Sequence, residues 1–105
     1  MPTAYEPEAL SRADADALQG LTLIEFGTNS CGWCQAAQPA IDEALRGQTG
    51  LRHLRIEDGK GRPLGRTYGV KLWPTLVFLQ DGREVARVVR PQGSPEIRQA
   101  LDRLA

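Results

Sequence analysis

Two cysteines, Cys31 and Cys34, enclose a Gly-Trp dipeptide, and the chain has no other cysteine. Residues three apart share one face of a helix, so both sulfurs can reach the geometry of a disulfide bond. The segment follows an apolar run of strand length and opens a helical pattern, which surrounds Cys31 with unpaired N–H groups and favours its thiolate. The spacing predicts thiol–disulfide exchange, with Cys31 as nucleophile and Cys34, one turn further in, as resolving thiol.

Two other roles for the cysteine pair are open alternatives. Buried cysteines can serve as small hydrophobic side chains. A tetrahedral zinc site needs four ligands, and His53 is the one histidine that could join the two cysteines. We therefore expect neither a metal nor a cofactor in the single chain, while a cluster shared between two chains stays an alternative.

Size and charge narrow the class of protein. The chain has 105 residues, enough for one domain spanning residues 1–105 with its own core. Thirteen basic and thirteen acidic side chains cancel, so the net charge indicates neither nucleic acid nor an anionic membrane as a partner. Apolar runs such as residues 76–79 are far shorter than the roughly 20 residues of a membrane-spanning helix.

The N-terminal region and the cysteine count bear on the cellular compartment. The first residues include Glu6, Glu8, Asp14 and Asp16 instead of a basic segment followed by an apolar one, so no secretion signal is recognised. A secreted scaffold held by disulfides would carry more cysteines along the chain. These features favour a reducing cytoplasm.

Hydrophobic patterns predict the elements that position the cysteines. Ser11, with Asp14 three residues later, predicts a cap for the first helix, and Ser94 before Pro95 predicts a cap for the last. Asp81-Gly82 predicts a hairpin turn between the last two strands. The predicted helices are 7–19, 31–46 with a kink at Pro39, at most 63–68, and one that follows Ser94. The predicted strands are 21–26, 51–57, 75–80 and 84–89.

The order of these elements indicates the fold class. The strand–helix–strand portion predicts parallel pairing, and the hairpin adds an antiparallel strand. A mixed sheet covered by helices on both faces satisfies this pattern. The sequence therefore predicts an α/β protein.

The chain resembles the thioredoxin family over nearly its whole length. The strand at 21–26 followed by Cys31-Gly32-Trp33-Cys34 is similar to the strand and Trp-Cys-Gly-Pro-Cys active site of that family, and Pro39 stands where its active-site helix is kinked. Residues 70–75 resemble the loop ending in cis-Pro-Thr, and residues 76–88 resemble the terminal hairpin. The resemblance implies a three-layer, thioredoxin-like fold with a central mixed sheet.

The same resemblance implies a substrate-binding loop. In the family, the cis-proline loop lies beside the two sulfurs, and the backbone of the residue before the proline pairs with the substrate chain. This chain would use Trp73, Pro74 and Thr75 for that purpose, with a cis Trp73–Pro74 bond. Trp33 and Trp73 would form an aromatic rim suited to an extended, partly apolar peptide.

Glu25 is implied as a proton relay. The family keeps a buried carboxylate at the matching position, where it exchanges protons with the second cysteine. Burial disfavours the charged form, so we expect the pKa of Glu25 to be raised. His53 is expected beside Glu25, as a pH-sensitive pair or as an ordinary histidine on a half-covered strand face.

The sequence also departs from the family pattern around the site. Ser30 and Trp33 stand where thioredoxins have Trp and Pro, Gly27 replaces a family aromatic, and residues 90–93 replace a simple Val-Gly. We expect a monomeric protein-disulfide reductase that receives electrons from an upstream thiol reductant. The alternatives are an oxidant or isomerase of an oxidising compartment, which would use the same residues, and a noncatalytic binding module.

Overall fold

The computed structural model describes residues 4–7 and 9–104, and it shows the predicted order of eight elements. The strands and helices lie within one or two residues of the sequence prediction, except for the first helix. The helices are α1 (Arg12–Asp16), α2 (Gly32–Leu45), α3 (Pro63–Thr67) and α4 (Ser94–Leu101). The strands are β1 (Leu21–Gly27), β2 (Leu51–Glu57), β3 (Thr75–Gln80) and β4 (Arg83–Val89).

The four strands form one mixed sheet in the order β2-β1-β3-β4. β1 and β2 are parallel, as the strand–helix–strand pattern predicts, while β3 runs antiparallel to both β1 and β4. The β3–β4 turn is the predicted hairpin: Asp81 and Gly82 have φ values of 50° and 81°. Two successive left-handed residues match the right-handed twist of the flanking strands.

Helices cover both faces of the sheet, which confirms the predicted architecture. The side chains of β1 alternate, so that Leu23 faces α2 and α4 while Ile24 and Phe26 face α1 and α3. Glu25 follows Leu23 by two residues and therefore points to the side of α2. None of the helices in the described ranges has the length and apolarity needed to cross a bilayer.

The first helix is shorter than predicted because the chain before it is used elsewhere. Glu6 pairs with Ile56 as an isolated bridge, and its backbone exchanges hydrogen bonds with Arg55 and Glu57. This pairing keeps the segment extended along β2. The predicted cap is confirmed: Ser11 and Asp14 form a reciprocal capping box, but the helix begins only at that point. The predicted start falls partly on Glu8, which lies outside the described residues.

The predicted cap of the last helix is wrong by one residue. Gly93 is the N-cap, and Ser94 is the first helical residue. The Ser94 hydroxyl is buried and donates a hydrogen bond to Glu43 on α2 instead of accepting one from its own helix. The local pattern predicted that the Ser94 hydroxyl caps α4, but this hydroxyl instead forms a contact between α4 and α2.

Candidate active site

The two cysteines occupy different environments at the start of α2. Cys31 is the N-cap, and its half-exposed sulfur accepts a hydrogen bond from the backbone N–H of Cys34 at 3.1 Å. Cys34 lies inside the first turn, and only 1% of its surface is exposed. An accessible sulfur is the one that can attack a substrate disulfide, whereas a buried one cannot be reached. The geometry suits the predicted order, with Cys31 outside and Cys34 behind it.

Cys34 holds its proton more tightly than a free thiol does. Burial is the main cause, and the hydrogen bond with Cys31 adds to it, so that the pKa of Cys34 rises from 9.0 to about 11. At neutral pH, Cys34 is therefore a thiol. Any attack by Cys34 needs a group that takes its proton.

The loop before β3 contains the cis-proline that the family resemblance implies. The Trp73–Pro74 peptide bond is cis, and Pro74 is buried. The Thr75 hydroxyl donates a hydrogen bond to the carbonyl oxygen of Leu72 at 2.6 Å, which closes the loop around the proline.

Arg90 joins this loop to the cysteine helix, a role that the sequence analysis did not identify. Its guanidinium carbon lies 4.6 Å from the ring centroid of Trp33, and its Nε donates to the carbonyl oxygen of Trp73 at 2.8 Å. Its backbone N–H also donates to the Pro74 carbonyl at 2.9 Å. Arg90 has a φ of 47°, which costs energy for a residue other than glycine and is offset here by these contacts. The departure from the family at residue 90 was the signal for this role.

The two tryptophans contact different partners. Trp33 is 60% exposed and lies under Arg90. Trp73 is half-buried, and its indole N–H donates to Asp58 at 2.8 Å. The Arg90 guanidinium therefore contacts the ring of Trp33 and the backbone of Trp73, and the aromatic rim for a substrate stays a prediction.

The carboxylate of Glu25 is fully buried and is contacted by four hydrogen-bonding side chains. Tyr5, Gln38 and Arg55 donate to Oε2, the latter two at 3.0 Å each. Oε1 lies 2.9 Å from Nε2 of His53, so the expected Glu25–His53 pair is present.

The expected rise in the pKa of Glu25 is wrong. Burial is the largest influence and acts upward, but it is outweighed. Hydrogen bonds with His53 and Tyr5, the charge of Arg55 and the Gln38 amide together hold the pKa of Glu25 below its usual value. Glu25 is thus an anion at neutral pH and can still accept a proton.

Tyr5 is the second functional candidate that the sequence analysis missed. Its backbone is fixed by the Asn29 side chain, which accepts from the Tyr5 N–H at 2.7 Å and donates to the Tyr5 carbonyl at 3.2 Å. The ring is buried, and its hydroxyl lies between Glu25 and Cys34. Gly27 provides the room: a Cβ there would stand 2.6 Å from Cζ of Tyr5 and 2.7 Å from Sγ of Cys34.

The side chains in the described ranges offer no group of three or more potential metal ligands. A cavity of about 450 Å³ lies next to Cys34, and Tyr5, Gln38 and Arg55 contribute to its walls. Water can therefore approach the buried thiol from that side.

Comparisons with known proteins agree with this geometry. The family model described as Thioredoxin matches residues 10–103. A thioredoxin of Chlamydia pneumoniae is 35% identical over 80 residues, covering 72% of this chain and 74% of the relative. The reduced form of thioredoxin 2 from Pseudomonas aeruginosa PAO1 is 54% identical, with a TM-score of 0.87 over 97% of this chain and 94% of that one. A mutant thioredoxin from Halobacterium salinarum NRC-1 is 27% identical, with a TM-score of 0.71 over 96% of this chain and 90% of that one.

Proposed function

Because this chain belongs to the thioredoxin family, we propose that it reduces protein disulfides through Cys31 and Cys34, with electrons from an upstream thiol reductant. One observation carries the proposal. At the start of α2, the half-exposed sulfur of Cys31 accepts a hydrogen bond from the backbone N–H of Cys34. The thiol of Cys34 itself is buried and has a raised pKa. A nucleophile and a protected second thiol are the two parts that dithiol–disulfide exchange needs.

The exchange takes place in two steps. The Cys31 thiolate attacks one sulfur of the substrate disulfide, the substrate S–S bond breaks, and one substrate thiolate leaves. Cys34 then loses its proton and attacks the Cys31 sulfur of the mixed disulfide, which releases the second substrate thiolate. The protein dithiol has lost two electrons and the substrate disulfide has gained them. The upstream reductant converts the Cys31–Cys34 disulfide back to the dithiol.

The substrate segment lies against the cis-proline loop in this proposal. Trp33, Leu72 and Val89 are the large apolar side chains that the described part of the chain leaves exposed. Leu72 belongs to the loop itself, and Val89 is paired with Thr75 at the start of β3. These three side chains, with the half-buried Trp73, provide the apolar surface that an extended peptide around a disulfide requires.

Glu25 serves as the base for Cys34 in this proposal, since it is the buried anion on the same side of the sheet. We propose that the protein acts as a monomer. We also propose a reducing cytoplasm as its compartment, because both cysteines belong to the motif and none is left for a structural disulfide. The same residues would serve an oxidant or isomerase. The reduction potential of the Cys31–Cys34 pair distinguishes a reductase from these two alternatives. A noncatalytic binding module would show no turnover of a disulfide substrate.

Trapping of mixed disulfides tests the assigned roles. Cys34→Ser retains the nucleophile but cannot resolve, so it should accumulate a covalent adduct with insulin on non-reducing gels. Cys31→Ser, the matched control, should form none. An adduct with Cys31→Ser and none with Cys34→Ser would reverse the two roles.

A further inference from the structure

A line of buried polar groups leads from the resolving thiol to the surface. Cys34 adjoins the Tyr5 hydroxyl, which donates to Oε2 of Glu25. Oε1 of the same carboxylate lies 2.9 Å from Nε2 of His53, whose side chain is 26% exposed. The first two members are close neighbours: the Tyr5 hydroxyl oxygen and the Cys34 sulfur lie 2.8 Å and 2.7 Å from the position that a Cβ on Gly27 would take.

We propose that Tyr5 relays the proton of Cys34 to Glu25 during resolution, and that His53 passes it on to solvent. The inference rests on the proposed function, because it concerns the second step of the exchange. It assigns a role to a residue outside the Cys-x-x-Cys motif and the cis-proline loop. It also explains how Glu25 reaches Cys34, which the sequence analysis left open.

The relay balances its protons and electrons. As the Cys34 sulfur attacks the Cys31 sulfur, the thiol proton moves to the Tyr5 oxygen and the former Tyr5 proton moves to Glu25. The S–S bond between Cys34 and Cys31 forms while the bond between Cys31 and the substrate sulfur breaks. The substrate leaves as a thiolate, and neutral Glu25 then returns its proton through His53 to water.

The acidity of the reacting sulfur changes enough to drive this transfer. The resting Cys34 thiol has a pKa of about 11, so a free thiolate is rare at neutral pH. The S–H group of Cys34 becomes far more acidic as its sulfur donates electrons to the new S–S bond. A carboxylate can therefore accept the proton before that bond is complete. Burial raises the pKa of Tyr5 well above its ordinary value, so Tyr5 takes part as a neutral phenol that gains one proton while losing another.

The polar groups around the relay keep Glu25 in the form that accepts a proton. Arg55 and His53 face its carboxylate from β2, and Gln38 faces it from α2. The Arg55 guanidinium also lies 4.9 Å from the centroid of the Tyr5 ring. Cys31 is the other titratable group next to Cys34. These contacts favour the anion of Glu25 between resolution steps.

Tyr5→Phe removes the relaying hydroxyl and keeps the ring that fills the space beside Gly27. The assay is stopped-flow reaction of the reduced protein with 5,5′-dithiobis(2-nitrobenzoate). Attack by Cys31 releases the first nitrothiobenzoate at a rate that depends on reagent concentration, and resolution by Cys34 releases the second at a rate that does not. Tyr68→Phe is the matched control, because the Tyr68 hydroxyl is buried on the opposite face of the sheet with no hydrogen-bond partner in the described ranges.

The relay predicts a specific loss in the second phase. General acid–base assistance is worth about 10²–10⁴-fold at most, and water in the adjacent cavity can replace part of it, so Tyr5→Phe should slow the second phase about tenfold near pH 6 to 7. The loss should shrink as the pH approaches 10, while the first phase and Tyr68→Phe should match the parent. Glu25→Gln should slow the same phase, and the double variant Tyr5→Phe/Glu25→Gln should be no slower than the worse single variant, because both act in one path.

The outcomes separate this inference from the proposed function. If the parent releases no second nitrothiobenzoate, the proposed function itself fails. If the parent resolves normally and Tyr5→Phe matches it from pH 6 to 8, only the relay is overturned. A loss in Tyr5→Phe that is equally large near pH 6 and near pH 10 would show a packing effect and would also overturn the relay.

Discussion

Gly27→Ala adds one methyl group at the point where Tyr5 and Cys34 meet. The new Cβ would stand 2.6 Å from Cζ of Tyr5, 2.8 Å from its hydroxyl oxygen and 2.7 Å from Sγ of Cys34. All three distances lie inside van der Waals contact. Gly27 does not have a left-handed φ, so the backbone itself tolerates alanine and the effect is steric.

The three contacts set the size of the expected effect. Overpacking of a buried site by a methyl group typically costs about 1–3 kcal/mol. Tyr5 belongs to a short segment held by Asn29 and by the bridge at Glu6, whereas Cys34 is part of α2. We therefore expect the tyrosine to move outward. The free energy of unfolding should fall by about 1–3 kcal/mol, and the contact between Tyr5 and Cys34 should be broken.

Urea unfolding followed by fluorescence measures the stability, and the second nitrothiobenzoate phase measures resolution. Gly32→Ala is the control, because its Cβ would meet no atom within 4 Å. The control should be as stable as the parent or more stable by up to about 1 kcal/mol, because alanine favours a helix more than glycine does. If Gly27→Ala is as stable as the control and resolves at the parent rate, the close packing of Tyr5 against Cys34 is refuted.

Three further predictions concern single groups. Asp58→Ala removes the acceptor of the Trp73 indole, so the KM for insulin should rise several-fold while the rate of the nitrothiobenzoate second phase stays unchanged; an unchanged KM would contradict a substrate role for Trp73. The lowered pKa of Glu25 means that its contribution to stability is present above pH about 4.5 and is lost as pH falls through the lower folded-state value. Acid titration of unfolding should therefore show a steeper decline in the parent than in Glu25→Gln, and equal slopes would argue against a lowered pKa. Alkylation of the reduced protein, followed by mass spectrometry, should modify Cys34 at a rate that rises until pH about 11, and a plateau near neutral pH would contradict the raised pKa.

Local patterns were sufficient to predict most of the fold. The strand at β2, the hairpin at Asp81-Gly82 and the helix after Cys31 each follow from spacing within a few residues, and the structure confirms them. The structure differs from the prediction where a backbone or side-chain group forms a hydrogen bond with a segment that is distant in sequence. Glu6 is bound by β2, which shortens α1, and the Ser94 hydroxyl is bound by α2. A sequence pattern contains no information about such partners.

The same distinction applies to the site. Glu25 and His53 lie on adjacent parallel strands, so their proximity could be expected from the pairing of β1 with β2. The lowering of the Glu25 pKa could not be expected, because it depends on hydrogen-bond donors from β2, from α2 and from the N-terminal segment that carries Tyr5. Gly27 stands where the family has an aromatic residue, and the structure shows that the ring of Tyr5 takes the space beside it. The sequence did not indicate that a tyrosine more than twenty residues earlier fills it.

In the proposed reaction, the two thiols of this chain supply the electrons that reduce a protein disulfide. The most direct test mixes the fully reduced protein with excess insulin under anaerobic conditions, with no other reductant, and follows the thiols of both proteins by mass spectrometry. We predict that one Cys31–Cys34 disulfide forms for each insulin disulfide reduced, and that Cys31→Ser reduces no insulin. The proposed reaction would be contradicted if the protein did not reduce insulin and both thiols stayed free, or if Cys31→Ser reduced insulin equally.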